Sequence, residues 1–213
     1  MKHILLIGSG KSTAYLIDYL LAHSESADIS LCVVDQKTAN KTQETAQHPR
    51  ISWEVANILD EELRYRLIKK ADLVISMLPA HMHGPIATDC LKFEKHLITA
   101  SYLSHEIKEL QAEVQKKGLI FLNEMGVDPG IDHMSAMAFI EDIKSKGGVI
   151  KLFESFTGGL VAPRENPNLW DYKFTWNPRN VVIAGQGGAA KFIQEGTYKY
   201  IPYHKLFRRT EFM

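Results

Sequence analysis

Residues 3–13 read HILLIGSGKST. The apolar run Ile4 to Ile7 stops at Gly8-Ser9-Gly10. Apolar residues then recur at Ala14, Leu16, Ile17, Leu20 and Leu21, at helical spacing. A second apolar run, Ile29 to Val34, ends at Asp35. Strand, glycine turn, helix, strand, acid is the outline of a mononucleotide-binding βαβ unit. Side chains at Gly8 and Gly10 would obstruct a phosphate approaching the backbone, and the helix start supplies free N–H donors. A carboxylate at the end of the second strand can accept bonds from an adenosine ribose. The third glycine of the fingerprint would fall at Thr13, so helix and strand must pack differently there. A tight structural turn is the competing reading of a bare Gly-x-Gly. Lys11-Ser12-Thr13 does not complete a P-loop, because that motif needs a glycine where Leu5 stands.

Alternation continues outward from this unit. Strands are expected over Ile51–Ala56, Leu73–Leu78, His96–Ala100 and Leu119–Leu122, with helices over Asp60–Lys70 and His83–Phe93. Ser104 can cap a further helix running to about Lys117 and ended by Gly118. Short apolar strands separated by helices indicate an α/β fold, a Rossmann-like doubly wound parallel sheet with right-handed crossovers. A helix over Ile131–Lys146 stops at Gly147-Gly148, after which the pattern changes. Val149–Phe156 alternates like a strand, Trp170, Tyr172, Phe174 and Trp176 form an aromatic stripe, and Gly185 to Gly188 read as a turn. Lys191–Ile201 looks like a hairpin interrupted at Glu195-Gly196. The expected division is a dinucleotide-binding domain over 1–147 and part of a mostly β substrate domain, of α+β type, over 148–213.

The totals exclude several classes. Lys plus Arg and Asp plus Glu number 25 each in 213 residues, so no net field draws the chain to nucleic acid or an anionic membrane. The N-terminal apolar run is too short for a signal peptide, and no stretch approaches the roughly 20 apolar residues of a membrane span. Cys32 and Cys90 suggest no disulfide framework. A cytoplasmic protein is expected.

In such a sheet the carboxyl ends of the strands line the ligand crevice. Those ends are Gly8 to Ser12, Asp35, Ala56-Asn57, Leu78 to His81, Ala100 to Tyr102, and Asn123 to Asp128. The last belongs to NEMGVDPGIDH (123–133), where Gly126, Asp128, Pro129 and Gly130 force a sharp turn between strand and helix. Asp128 and Asp132 either wall a site or merely cap the helix. His81 and His83 are spaced as a metal pair, but no third ligand supports them, so no metal is expected and a loop or solvated role is favoured. His133 is read as structural, its cationic form disfavoured by the helix start.

NEMGVDPGIDH, together with SMLPAHMHGPIATDC (76–90), LITASYLS (97–104) and GGLVAPRENPNLWDYKFTW (158–176), resembles the saccharopine dehydrogenase family, and within it the glutamate-forming branch. The resemblance runs from about residue 3 to about residue 185. It implies an oxidoreductase of lysine metabolism that moves a hydride between saccharopine's secondary amine and NAD(P), giving glutamate and aminoadipate semialdehyde. By the same resemblance Gly8, Ser9, Gly10, Lys11, Asp35, Ala56 and Asn57 touch the dinucleotide and Val127, Asp128, Pro129 and Thr175 lie beside it; Ser12 and Leu78, at strand ends, join the expected cofactor-binding set. Ser101, Tyr102 and Asp128 touch the amino-acid substrate. Asp128 is expected to hold the substrate amine, and Asp128, Tyr102 and His81 are the candidates for proton transfer. A carboxylate at Asp35 would repel a 2′-phosphate, which Lys37 and Lys41 offset only in part, so NAD is slightly preferred over NADP. Related lysine or carboxynorspermidine dehydrogenases, and a nucleotide-binding module without turnover, remain alternatives. A homodimer is left open. Family members continue well past residue 213, so a carboxyl-terminal truncation is expected.

Overall fold

The computed structural model describes residues 1–37, 41–156, 161, 169, 172–173, 178 and 189–206. Six strands, β1 (Lys2–Ile7), β2 (Ile29–Asp35), β3 (Ile51–Val55), β4 (Leu73–Ser76), β5 (His96–Thr99) and β6 (Phe121–Leu122), form one sheet. They are parallel throughout and lie in the order β3-β2-β1-β4-β5-β6. This is the doubly wound order, with its switch between β1 and β4.

Period-two alternation along β1 sorts its side chains to two cores. Ile4 and Leu6 pack with Val33, Ile75 and Ile17, the last from α1 (Ala14–Ala22). Leu5 and Ile7 pack on the other face with Val74, Leu67, Ile68 and Ile86, reaching α3 (Glu61–Lys70) and α4 (His83–Lys92). A short α2 (Gln43–Gln47), not anticipated from sequence, begins with a Thr42/Thr45 capping box. Asp60 caps α3 by accepting from the Leu63 N–H at 3.1 Å.

Ser104 is the expected cap, accepting from the Ile107 N–H at 3.3 Å. The single helix expected after it is two pieces, α5 (His105–Glu109) and α6 (Gln111–Lys116). The break falls at Leu110, whose N–H bonds back to the Ile107 carbonyl in a tighter turn while its side chain packs on the core. Gly118, at φ +64°, then ends α6. A longer α7 (Ile131–Ser145) follows β6.

Val149–Phe156, which alternates like a strand, carries no strand pairing among the described residues. The expected hairpin is present as antiparallel β7 (Ala190–Gln194) and β8 (Thr197–Ile201), turning at Glu195 and Gly196 with φ 54° and 72°. Trp170, Phe174, Trp176 and Gly185 to Gly188 lie outside the described residues. The chain divides into two compact units, Met1–Phe156 and Thr157–Met213. Among the described residues no helix is long and apolar enough to cross a membrane.

One charged pair sits inside the first unit. The Arg64 Nε–H of α3 donates to Asp89 Oδ2 of α4, and both residues are buried. Arg64 Nη1 also donates to the Ile58 and Leu59 carbonyls, each at 3.3 Å. Removing one partner strands a desolvated charge, which typically costs about 3–5 kcal/mol, whereas replacing both by apolar residues often costs little. Asp89→Ala is therefore expected to lower unfolding stability by about 3–5 kcal/mol, measured by urea denaturation, and Arg64→Met/Asp89→Leu by much less.

Candidate functional site

The glycine loop follows β1 directly. The Gly8 N–H donates to the Val34 carbonyl at 2.9 Å, and the residue has φ +98°. A Cβ on Gly8 would lie 3.2 Å from the Met77 carbonyl oxygen, so both conformation and space at the end of β4 require glycine. Gly10 differs. Among the described residues none lies within 4 Å of where its Cβ would be, beside the turn entering α1. That is the cradle a phosphate needs, with Lys11 and Ser12 exposed beside it. Thr13 stands where the fingerprint's third glycine would be. It is buried, and its hydroxyl donates to the Gly10 carbonyl at 2.7 Å.

Asp35 ties this loop to β2. Its Oδ2 accepts from the Ser9 N–H and its Oδ1 from the Lys37 N–H at 3.1 Å. The Ser9 hydroxyl donates to the Lys37 carbonyl at 3.2 Å. The carboxylate thus has a loop-ordering role in addition to any ribose contact. On the next strand the Ala56 N–H donates to the Asp35 carbonyl at 2.9 Å. Asn57 Oδ1 accepts from the Leu59 N–H and from Gln36 Nε2. Leu78 is half-buried against the core. Gly8 to Ser12, Asp35, Ala56, Asn57 and Leu78 therefore follow strand ends along one edge. Thr175 lies outside the described residues.

The 123–133 turn closes on itself. The Gly126 N–H donates to the Pro129 carbonyl at 2.9 Å and the Ile131 N–H to the Gly126 carbonyl at 3.0 Å. Asp128-Pro129 is cis. Gly130 has φ +155°, and a Cβ there would sit 2.0 Å from the Gly126 oxygen, so no side chain fits. The corner is held to β5 by the Met125 N–H to the Thr99 carbonyl and the Glu124 N–H to the Ser101 carbonyl, both at 3.0 Å. It brings Asp128 to Tyr102, whose hydroxyl donates to Asp128 Oδ1 at 2.8 Å. That bond to a carboxylate raises the Tyr102 pKa, so the phenol stays protonated. Val127 and Asp128 are exposed, while Pro129 is buried.

Two histidines depart from expectation. His83 is not solvated. It is buried at the first residue of α4, with Nδ1 2.9 Å from Ser76 Oγ and Nε2 2.9 Å from Ser101 Oγ. Burial, then the nearby His81, lowers its pKa to about 4. Both ring nitrogens face hydroxyls, which removes the His81/His83 metal pair. His81 is exposed in the Ala80–Met82 turn and has no hydrogen bond to Asp128 or Tyr102. At His133 the neighbouring carboxylate outweighs the helix start. Its Nδ1 lies 2.7 Å from Asp132 Oδ1, and that hydrogen bond raises its pKa. Asp128, Asp132 and His133 place ligand atoms within 4.8 Å of one another, an exposed group whose Asp132 also accepts from the Gly130 N–H.

Residues 4–122 match the family model described as the saccharopine dehydrogenase NADP binding domain, and residues 126–213 that of the saccharopine dehydrogenase C-terminal domain. The chain is 36% identical over 197 residues to saccharopine dehydrogenase (NADP(+), L-glutamate-forming) of Schizosaccharomyces pombe, covering 92% of this chain and 43% of the relative. It is 39% identical over 151 residues to alpha-aminoadipic semialdehyde synthase of Arabidopsis thaliana, covering 71% of this chain and 14% of the relative. The solved structure of apo saccharopine dehydrogenase (L-Glu forming) from Saccharomyces cerevisiae superposes with a TM-score of 0.81 at 31% identity, covering 100% of this chain and 47% of that one. The chain spans less than half the length of these relatives. With the doubly wound sheet, the glycine loop and two adjoining family models all in agreement, the chain belongs to the saccharopine dehydrogenase family.

Proposed function

We propose that this chain carries the dinucleotide half, and part of the substrate pocket, of a glutamate-forming saccharopine dehydrogenase. The observation that carries the reading is the Tyr102–Asp128 pair, 2.8 Å apart, on the same sheet edge as the Gly8 to Ser12 loop. The glycine loop would hold the pyrophosphate at Gly10, with Lys11 and Ser12 beside it and with Ala56, Asn57 and Leu78 along the adenosine side. Val127, Asp128 and Pro129 would border the nicotinamide. The bound dinucleotide would supply the hydride acceptor, and the protein supplies placement and electrostatics.

Asp128 Oδ1 is taken by the Tyr102 hydroxyl, and Oδ2 has no hydrogen bond among the described residues, so it is free to accept from the substrate's amine N–H. Tyr102, held protonated, keeps that carboxylate in place and can lend a proton as the carbon–nitrogen bond is broken by water. Ser101 would bind a substrate carboxylate. His81 is retained only as the third candidate for proton transfer.

The cofactor we infer is NADP(H), in place of the slight preference for NAD read from Asp35. Asp35 accepts two backbone N–H groups, which offsets part of its charge, and the matched family model and the fungal relatives are NADP proteins by description. Titration is expected to give NADPH at least tenfold tighter than NADH; the reverse order would overturn the assignment. Gly10→Val is expected to weaken NADPH binding by tenfold or more, since its side chain would stand where the phosphate approaches the loop. Tyr102→Phe and Asp128→Asn are each expected to lower saccharopine-dependent NADP reduction about 10²-fold or more, followed by reduced-nicotinamide absorbance, with NADPH affinity retained in Tyr102→Phe. Tight NADPH binding with no saccharopine-dependent reduction by the unmodified chain would favour a binding module without turnover.

A further inference from the structure

Of the hydrogen-bonded chain Ser76–His83–Ser101, the function proposed above uses only Ser101; the buried Ser76 and His83 have no role in it. Ser76 lies at the end of β4 and is fully buried, His83 opens α4, and Ser101 follows β5 half-exposed at the crevice. The two contacts are 2.9 Å each, one on each ring nitrogen. A neutral imidazole has one donor and one acceptor nitrogen, so its tautomer decides which serine it donates to.

Satisfying the buried hydroxyl selects between the two. Ser76 Oγ has His83 Nδ1 as its sole hydrogen-bond partner among the described residues. If Nδ1 carried the proton, the Ser76 hydrogen would be buried with no acceptor, which is costly. With the proton on Nε2, the Ser76 O–H donates to Nδ1 and every buried group is paired. Nε2–H then donates to Ser101 Oγ, so the Ser101 hydrogen cannot point inward. It is left for a ligand, and a donor of that kind recognises an acceptor-only group.

We propose that His83 is a positioning residue which, as its Nε2–H tautomer fixed by Ser76, turns the Ser101 hydroxyl outward as a donor for a substrate carboxylate. The part concerning the substrate rests on the function proposed above. The tautomer does not. The ring stays neutral because it is buried between hydroxyls. His81 in the preceding turn is the other titratable group acting on it, and Glu106 of α5 lies against Gly84 one residue on.

The test reads the ring directly and then its consequence. Imidazole ¹⁵N shifts of His83 in the full chain, assigned by their loss in His83→Gln, are expected to show Nε2–H with no titration between about pH 5 and 8. Ser76→Ala should move the ring toward a mixture of tautomers. Saccharopine affinity in the presence of NADPH should separate two amide variants. His83→Gln places an amide near the Nε2 position and should bind as the unmodified chain does. His83→Asn reaches only toward Ser76 and should bind about tenfold more weakly, the effect of losing one hydrogen bond to a charged group. Unchanged NADPH affinity in both variants controls for folding. A ring protonated on Nδ1, a ring titrating near neutrality, or equal saccharopine affinity for the two variants would overturn the inference. Failure of the unmodified chain to bind saccharopine would overturn the proposed substrate, while the ¹⁵N shifts still decide the tautomer.

Discussion

The site depends on the register of four parallel strands. Ile7 of β1 pairs with Val34 of β2 and with Ser76 of β4, and Ser76 pairs in turn with Thr99 of β5. These four residues form one row across the sheet. The residues just beyond that row are Gly8, Asp35, Met77-Leu78 and Ala100-Ser101, among which Gly8, Asp35, Leu78 and Ser101 belong to the proposed site. Because successive side chains alternate between faces, a slip of one position would send each strand's core residues to the wrong side. Both faces of β1 are buried, so the hydrophobic effect locks the row and the row aligns the chemistry.

Two hydrogen-bonded groups of opposite character hang from that edge. Tyr102–Asp128 is exposed and charged, held by a turn so tight that Gly130 has no room for a side chain. Ser76–His83–Ser101 is neutral, its first two members buried and its third half-exposed, and its geometry is set by β4 and α4. The exposed pair can exchange protons with a ligand. The buried Ser76 and His83 cannot readily do so and can only orient Ser101.

Much of this was legible in the residues. The central strands are unbroken apolar runs, as a sheet buried on both faces requires. Glycines 8 and 10 and Asp35 declare themselves by following such runs. What escaped notice depends on distance through space. His83 meets partners 7 and 18 positions away in sequence, joined only once the sheet has formed, so spacing alone suggested a metal pair or a solvated loop residue. The break between α5 and α6 follows from Leu110 seeking the core, a tertiary pull that helical periodicity does not encode. Val149–Phe156 alternates as a strand does, yet alternation requires a partner before it becomes a sheet. The reading of Asp35 as a bar to a 2′-phosphate treated its carboxylate as free, whereas backbone N–H groups claim both oxygens.

In the proposed function a nicotinamide dinucleotide lies across the glycine loop with its redox ring at the aspartate–proline corner. The most direct measurement is the set of intermolecular nuclear Overhauser effects between NADPH and the isotope-labelled chain. Nicotinamide protons should give cross-peaks to the Tyr102 ring and Val127 methyls, and adenosine protons to residues beyond β2 and β3. Nicotinamide cross-peaks confined to the opposite ends of the strands, near His3 or Leu73, would contradict it.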